Sequence, residues 1–426
     1  TPVASDTIVP LEIAWTAEAP QATQGGAGTH AFDDEHLFVS YLTERGTETT
    51  VQAVDLETGA AIWNMSSSVM VRSMMVADGL LLVSGRDNST RGEYPLIALD
   101  TLTGEEIWRS NTISADVVGL ALDRQHVLAL RQNNTLQAID LATGEQIYAS
   151  DIGGRSTTVT NLVSFDNRLV TIDRIAVAVL IDGSIVGVDI ETGMPQWWAL
   201  RETPGQTAVG NVDGALIVRV GAAVNLEGIS ENGTPQPIAS PVAVASPAIA
   251  SCADLLRRVA PGATIDSGPL EQREILVMRL DPNTGKTRWS AESDQFYALD
   301  LASGDGLLTM IGSGAEWPTD PSQVALCLTD LERGKVKSVD RLSDVAQDAF
   351  RFTTTNFQGK TIDVLLVRDN QGGMFLAPAA VDPSVPGPTI ELGEPYADSQ
   401  MSMDHDGGLY LVLNDGSIVK IILPGD

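Results

Sequence analysis

The sequence repeats one short pattern five times. In each copy an Asp is followed by Thr three residues later, by Gly four residues later and by a large aromatic residue eight residues later. The aromatic residues are 45, 40, 49 and 92 positions apart. A period in the forties, built from short strands and turns, is typical of toroidal or solenoid repeats. The copies consist of Asp55, Gly59 and Trp63; Asp100, Gly104 and Trp108; Asp140, Gly144 and Tyr148; Asp189, Gly193 and Trp197; and Asp281, Gly285 and Trp289.

The spacing within each copy has a local physical reason. A mainly apolar run precedes each Asp, which is typical of a strand packed on both faces. The Asp can accept hydrogen bonds from amides of the following turn, and the Gly supplies a left-handed backbone conformation. The next residues predict a returning strand whose aromatic residue reaches the neighbouring sheet. We therefore predict a packing role for these aromatics, in preference to stacking on a carbohydrate or cofactor.

Further strands are predicted directly ahead of the repeated runs. They lie at 36–42, 79–85, 126–132, 167–172 and 214–220, and polar turns precede them. Each unit then has about four strands, which matches one blade of a β-propeller.

The pattern fades towards the C-terminus. Asp330 and Gly334 keep their spacing, but Ser338 replaces the aromatic residue, and the unit at 344–392 lacks the motif. The last unit, 396–423, lacks a returning strand with an aromatic residue, which the N-terminal strand ending at Trp15 could supply. We predict an all-β fold: an eight-bladed propeller of four-stranded antiparallel blades, closed by this N-terminal strand, or seven blades if one degenerate unit is miscounted. The predicted boundaries are a linker at 1–9 and a single propeller at 10–426.

The chain is strongly acidic. It contains 26 Lys and Arg against 56 Asp and Glu, a net charge of −30. This charge disfavours binding to nucleic acid or to anionic lipid. It is typical of a very soluble or salt-adapted surface, and it is also compatible with a basic partner or with cation binding. No apolar run is long enough to span a membrane. The first ten residues are those expected of a mature protein whose signal peptide or anchor has been removed.

The repeated string of Ala or Val, Asp, Thr-Gly and Trp resembles the PQQ-like repeat of quinoprotein propellers. That family includes PQQ-dependent alcohol dehydrogenases and the cofactor-free propeller lipoprotein of the outer-membrane β-barrel assembly machinery. The likeness is strong over 40–200 and 272–290, and it implies a propeller outside the cytoplasmic membrane. It predicts the fold better than the activity. This chain resembles the lipoprotein more than the dehydrogenases, because it has no adjacent cysteines and no recognisable calcium ligands. We therefore expect no catalytic residues, no cofactor and no metal site.

Residues 222–271 interrupt the rhythm of strands. A tract rich in Pro, Ala and Ser (234–251) leads to a segment with an apolar helical face. We predict a short helix inserted between the second and third strands of one blade, and a degenerate extra blade is the alternative. The apolar face consists of Cys252, Leu255, Leu256 and Val259, with Arg257 and Arg258 pointing away from it.

The chain has two cysteines, Cys252 in this insertion and Cys327 on a predicted strand. An extracytoplasmic setting permits a disulfide between them, which we predict. The alternative is two separate thiols that pack as small apolar groups.

The sequence favours a non-catalytic, monomeric scaffold that binds a protein partner in the bacterial cell envelope, with any membrane anchor outside the sequence. One alternative is a site for a quinone, glycan or cation, or a PQQ-type oxidoreductase, at the mouth of the central channel. Another is the sensor ectodomain of a membrane receptor. The candidate binding residues are Leu255, Arg257, Arg258, Trp198 and Trp317.

Overall fold

Every regular element of the described chain is a β-strand. The described residues form 33 strands in eight sheets, seven of four strands and one of five. The computed structural model describes residues 8–20, 23–43, 48–90, 93–110, 116–153, 168–180, 183–199, 205–212, 214–223, 275–293, 301–304, 307–313, 324–341, 348–357, 360–368, 374–380, 389–392, 400–403, 408–413 and 415–422.

The chain divides into two compact units, so the single domain predicted over 10–426 is described in two parts. The first unit contains residues 1–117 and 343–426 and therefore both ends of the chain. Its strands are β1 (Ile8–Pro10) and β2 (Glu12–Ala17); β3 (Thr23–Phe32), β4 (His36–Thr43), β5 (Thr49–Asp55) and β6 (Ala61–Ser67) of sheet 1; β7 (Val69–Ala77), β8 (Leu80–Asp87), β9 (Leu96–Asp100) and β10 (Glu106–Ser110) of sheet 2; β27 (Asp348–Phe357), β28 (Lys360–Arg368), β29 (Met374–Ala380) and β30 (Thr389–Leu392) of sheet 7; and β31 (Gln400–Met403), β32 (Leu409–Val412) and β33 (Ile418–Ile422) of sheet 8.

The second unit contains residues 118–342, and sheet 3 begins one residue before it. Its strands are β11 (Val117–Leu122), β12 (His126–Arg131), β13 (Thr135–Asp140) and β14 (Gln146–Asp151) of sheet 3; β15 (Leu169–Ile172), β16 (Ile175–Val179), β17 (Ile185–Asp189) and β18 (Pro195–Ala199) of sheet 4; β19 (Gly205–Val212), β20 (Ala215–Ala223), β21 (Ile275–Leu280) and β22 (Thr287–Ser293) of sheet 5; and β23 (Leu301–Gly304), β24 (Leu307–Ser313), β25 (Val324–Asp330) and β26 (Val336–Arg341) of sheet 6.

Six of the sheets are antiparallel meanders in chain order, and sheets 7 and 8 each add a strand from the N-terminus. Strand β2 pairs antiparallel with β33, with Trp15 opposite Lys420. Strand β1 pairs in parallel with β30, with Ile8 opposite Thr389. Residues 8 and 9, which were predicted to be linker, therefore lie in a strand, because their backbone pairs with an exposed sheet edge.

The middle strands are buried on both faces, as their apolar runs predict. All five residues of β16 are buried, whereas side chains along the outer strand β6 are exposed or half-buried. Apolar clusters fill the spaces between neighbouring sheets. One joins sheets 8 and 1 around Tyr41 and Tyr410, one joins sheets 1 and 2 around Phe38 and Leu81, and two more join sheet 4 to sheets 3 and 5.

One strand was predicted in the wrong position within its sheet. Residues 167–172 were predicted to be a second strand, but Leu169–Ile172 is the first strand of sheet 4 and Ile175–Val179 is the second. The turn between them is very short, and Asp173 adopts a φ of 54° there. Such a tight turn leaves no polar run to mark the boundary between the two strands.

The long segment that follows Ala223 connects the second and third strands of sheet 5. Strands β20 and β21 flank it and pair directly, with Leu216 opposite Leu280. The helix predicted within this segment lies outside the described residues, as does Cys252. The proposed disulfide to Cys327 of β25 therefore stays a prediction.

Candidate interaction surface at the seams between sheets

Each repeated Asp organises the turn that follows its strand. The carboxylate Oδ1 of Asp55 accepts hydrogen bonds from the Thr58 amide, at 2.7 Å, and from the Thr58 hydroxyl, at 2.6 Å. The Gly59 amide donates to the backbone oxygen of Asp55 at 2.9 Å. The same three bonds recur at Asp100, Asp140 and Asp189. The Asp carboxylate supplies the acceptor and the Thr hydroxyl supplies a second donor, so the turn uses both residues.

The Gly of each turn is needed for conformation and for space. Gly104 has a φ of 73°, which L-residues with a Cβ avoid. A Cβ added there would lie 2.8 Å from Cδ2 of Trp63, an outer-strand residue of the preceding sheet. Gly59 stands in the same relation to Trp15, Gly193 to Tyr148, Gly285 to Trp197 and Gly334 to Trp289.

The aromatic residue also donates a hydrogen bond to the sheet whose Gly it covers. The acceptor is a backbone oxygen one residue after the turn Asp, so ring contact and hydrogen bond act on the same turn. We call this contact a seam. The donor–acceptor distances are 3.2 Å for Trp15 Nε1 to Leu56 O, 2.9 Å for Trp63 Nε1 to Thr101 O, 2.9 Å for Tyr148 Oη to Ile190 O, 2.7 Å for Trp197 Nε1 to Pro282 O and 2.9 Å for Trp289 Nε1 to Leu331 O.

Two seams contain a second donor that the motif did not predict. Arg279 Nη1 donates to the Leu331 oxygen at 3.1 Å, beside the Trp289 indole. Lys420 Nζ donates to the Leu56 oxygen at 2.9 Å and lies 5.6 Å from the Tyr410 ring centre. For Arg279 a sequence signal existed. The residue two before the turn Asp is Ala or Gly in the other four copies, and it lies opposite the aromatic residue in the register.

Hydrogen bonding lowers the pKa of several turn carboxylates. Bonds from the Thr58 hydroxyl and amide hold the pKa of Asp55 below its usual range, and Thr103 and Thr143 do the same for Asp100 and Asp140. The carboxylates therefore stay charged in mildly acidic solution.

Burial acts in the opposite direction on two other groups. At Asp281 it would raise the pKa, but hydrogen bonds from Arg288 and Thr284 outweigh it. The Tyr148 hydroxyl has its pKa raised to about 12, mainly by burial and also by the carboxylates of Asp189 and Asp123. It is therefore a neutral donor at physiological pH.

The turns at one edge of sheets 1 and 2 are strongly acidic. Because the strands are antiparallel, the turn between the first and second strands lies at the same edge of a sheet as the turn between the third and fourth. Residues 33–36, 55–61, 77–80 and 100–107 form these turns and contain no Lys or Arg. Their carboxylates belong to Asp33, Asp34, Glu35, Asp55, Glu57, Asp78, Asp100, Glu105 and Glu106.

The predicted binding residues are only partly within the described chain. Trp198 is half-buried: it packs on the apolar cluster between sheets 3 and 4, and a Cβ added to Gly153 would lie 2.5 Å from its Cη2. This contact gives Trp198 a packing role. The other four candidates, Leu255, Arg257, Arg258 and Trp317, lie outside the described residues and stay predictions.

Among the described residues, no three or more His, Cys, Asp and Glu side chains form a group that could hold a metal ion. His36 and His126 instead bond Asp33 and Asp123 of their own turns. The described residues also contain no helix that is long and apolar enough to cross a membrane.

Comparison with known proteins identifies the repeat. Residues 93–228, less than half of the chain, match a family model described as outer membrane protein assembly factor BamB. This range contains the motif copies from Asp100 to Trp197. The chain resembles the PQQ-like repeat propellers. A search of curated protein sequences found no significant match.

Two solved structures with a TM-score above 0.5 support a propeller-like fold. The C-terminal WD40 domain of Sif2 is similar with a TM-score of 0.59 and 9% identity, covering 98% of this chain and 99% of that one. The computationally designed Ika8 protein is similar with a TM-score of 0.53 and 14% identity over 96% and 99% of the two chains. BamB from Moraxella catarrhalis aligns with a TM-score of 0.46 and 14% identity over 97% of each chain. Because WD40 repeats form propeller blades, the first similarity supports a propeller-like arrangement of four-stranded sheets.

Proposed function

We propose that the eight sheets are the blades of one closed propeller. Strand β2 brings Trp15 of the N-terminus to the edge of sheet 8, and Trp15 contacts the turn of sheet 1. The same kind of seam joins sheet 1 to sheet 2, sheet 3 to sheet 4, sheet 4 to sheet 5 and sheet 5 to sheet 6. A ring closed in this way needs no exposed edge between its first and last blades, which supports the proposal.

We further propose that this propeller is a non-catalytic, protein-binding scaffold of the bacterial cell envelope. The observation that carries the proposal is the match of residues 93–228 to the BamB assembly-factor family. The repeated Asp side chains organise turns, and the aromatic side chains of four of the five copies form seams. The repeat therefore serves the fold and leaves recognition to residues outside it.

The protein acts outside the cytoplasmic membrane as a monomer, and any membrane anchor lies outside this sequence. Its partner is a protein with a basic surface, because a net charge of −30 attracts such surfaces over distances of about a Debye length, roughly 8 Å at physiological salt. The insertion at 222–271 is a contact for this partner.

Affinity purification from native envelopes tests the scaffold role. The intact protein is compared with a variant in which 222–271 is replaced by a short Gly-Ser turn. A second variant keeps the length of the insertion but replaces Leu255, Arg257 and Arg258 with Ser. We expect a specific partner that is retained by the intact protein and lost with both variants. Failure of the folded, intact protein to retain any partner would contradict the scaffold function.

Addition of PQQ with calcium and an alcohol tests the enzymatic alternative. We expect no alcohol-dependent reduction of an electron acceptor by the purified protein. Turnover that depends on added PQQ would contradict the non-catalytic assignment and would place the protein with the dehydrogenases.

A further inference from the structure

Two exposed apolar side chains flank the hydrogen bond of the seam between sheets 1 and 2. Ile62 is 41% exposed and directly precedes Trp63, and Leu102 is 62% exposed and directly follows Thr101. The Trp63 indole donates to the Thr101 oxygen at 2.9 Å, and this bond joins the segments that contain Ile62 and Leu102. We call Ile62 and Leu102 the rim of this seam.

The backbone conformation at Ile62 and Leu102 explains why both side chains are exposed. The register of β5 and β6 pairs Ala53 with Trp63 and Val54 with Ala61, which leaves Ile62 as the extra residue of a β-bulge. Leu102 lies within the turn that Asp100 organises. Neither side chain therefore contributes to the apolar core between these sheets.

The seam itself does not require apolar residues at these positions. In the seam between sheets 5 and 6, the residue before Trp289 is Arg288 and the residue after Leu331 is Glu332. The Trp289 indole nevertheless donates to the Leu331 oxygen at the same 2.9 Å. The indole hydrogen bond therefore does not depend on apolar groups at the rim, and their exposure points to a role in recognition.

The surroundings of the rim are acidic. The turn before Ile62 and the turn that contains Leu102 carry Asp55, Glu57, Asp100 and Glu105, and no Lys or Arg lies in residues 55–61 or 100–107. Arg109 of sheet 2 is paired with Glu106 at 2.7 Å, and Lys420 of sheet 8 donates to the Leu56 oxygen within the first of these turns. An apolar contact flanked by these carboxylates fits a partner with the complementary pattern.

We propose that the rim binds a basic segment of a partner protein, with one apolar side chain placed between Ile62 and Leu102 and with Lys or Arg side chains on the surrounding carboxylates. This deepens the scaffold function and rests on it. A contact of this kind buries a small apolar anchor, so each rim residue should account for about a tenfold change in affinity. The contact should also weaken as salt screens the carboxylates.

A synthetic peptide tests the rim directly. The probe is a 12-residue peptide of Lys, Arg and Ser with one central benzoylphenylalanine, which serves as both apolar anchor and photo-crosslinker. Affinity is measured by fluorescence anisotropy, and crosslinked residues are located by mass spectrometry. We expect crosslinks within 55–64 and 100–107, and affinity that falls about tenfold in each of I62S and L102S. An acidic peptide with the same anchor should not bind.

Leu42→Ser is the matched control. Leu42 is 37% exposed in sheet 1, and it lies near the end of β4 that is opposite the turn at 33–36. Its replacement therefore removes a similar apolar surface away from the rim. Its affinity for the peptide should equal that of the unchanged protein, and circular dichroism should show that all variants are folded. Equal binding by I62S and L102S, crosslinks elsewhere, or no binding by the unchanged protein would overturn the rim proposal.

Affinity purification separates this proposal from the function on which it rests. An envelope partner that is retained by the intact protein and equally by the I62S/L102S double variant would support the scaffold function and overturn the rim as its contact. A partner that is retained by the intact protein and lost with the rim variant would support both.

Discussion

The seam between sheets 1 and 2 and the seam between sheets 5 and 6 have the same framework but different surroundings. In both, an indole donates at 2.9 Å to a backbone oxygen of the next turn. They differ opposite the aromatic residue, where the first has Ala53 and the second Arg279. Arg279 adds a second donor to the shared acceptor and pairs with Glu332 at 2.8 Å.

This difference separates what the repeat must keep from what it may vary. The turn Asp, the Gly and the aromatic residue determine the geometry of both seams. The residues next to the aromatic and within the turn change from apolar to charged without moving the hydrogen bond. Function can therefore diverge from seam to seam at these outer positions, while stability depends on the shared ones.

The largest expected effect is that of a Cβ at the turn Gly. In G104A the side chain would collide with the Trp63 ring, in addition to the strain of a φ of 73°. We expect a loss of about 3 kcal/mol in the free energy of unfolding, measured by urea denaturation. G334A should cost a similar amount, because Gly334 stands in the same relation to Trp289.

Gly79→Ala is the matched control for this prediction. Gly79 has a similar φ of 75°, but a Cβ there would meet nothing within 4 Å. G79A should therefore lower the free energy of unfolding through backbone strain alone, by about 1 kcal/mol. Equal losses in G104A and G79A would show that contact with the indole does not matter.

Because Arg279 is a second donor to the Leu331 oxygen, a double-mutant cycle should show coupling in the seam between sheets 5 and 6. In the seam between sheets 5 and 6, either Trp289 or Arg279 can satisfy the Leu331 oxygen, so W289F and R279L together should cost more than their sum. We expect a coupling energy of about 1 kcal/mol in urea denaturation, from the acceptor left unsatisfied only in the double variant.

The same cycle at Trp15 and Lys420, which share the Leu56 oxygen, should give a coupling of the same sign. Strict additivity at both seams would show that the cations do not act on the shared oxygen. It would then leave the exposed surface as the main difference between the two kinds of seam.

The sequence allowed the framework of the seams to be predicted, because that framework is local. Asp, Thr and Gly form a turn through hydrogen bonds that span four residues, and fixed spacing places the aromatic residue on the outer strand. The parallel pairing of β1 could not be predicted, because Ile8 and Val9 pair through their backbone and no side-chain pattern specifies the edge they meet.

The candidate surface was missed for a related reason. Ile62 lies in an apolar run before Trp63, where alternation alone does not show which residues are buried. The β-bulge that turns it outward depends on the register between Ala53 and Val54, which is a property of the paired strands. Arg279 could have been found, because it stands where the other copies have Ala or Gly.

A smaller effect, of opposite sign, is expected in the seam between sheets 8 and 1. Tyr41 is fully buried there, and among the described residues its hydroxyl has no hydrogen-bond partner. Burial, with a further contribution from Asp415, raises the pKa of Tyr41, so the hydroxyl stays neutral. Y41F should leave the packing intact and raise the free energy of unfolding by about 1 kcal/mol. A loss of stability in thermal and urea unfolding would show that the hydroxyl has a partner, such as a buried water.

The smallest expected effect concerns acid, and it separates the turn of Asp100, in the seam between sheets 1 and 2, from the turn of Asp281, in the seam between sheets 4 and 5. Hydrogen bonds from Thr103 lower the pKa of Asp100 in the folded protein. This stabilisation is therefore fully present above the unfolded-state pKa of about 4, and it is lost as the pH falls through the lower pKa of the folded state. T103V should be less stable than the unchanged protein at pH 6.5, and the difference between their urea midpoints should shrink towards pH 3.

Thr103→Ser keeps the hydroxyl and should behave like the unchanged protein at both pH values. At Asp281 the Arg288 guanidinium supplies the first of the bonds that lower the pKa, so T284V should change the acid response less than T103V does. Protonation of the many other carboxylates affects all these proteins alike and cancels in the differences between midpoints. A T103V difference that stays constant from pH 6.5 to pH 3 would mean that the Thr stabilises the turn without acting through the carboxylate of Asp100.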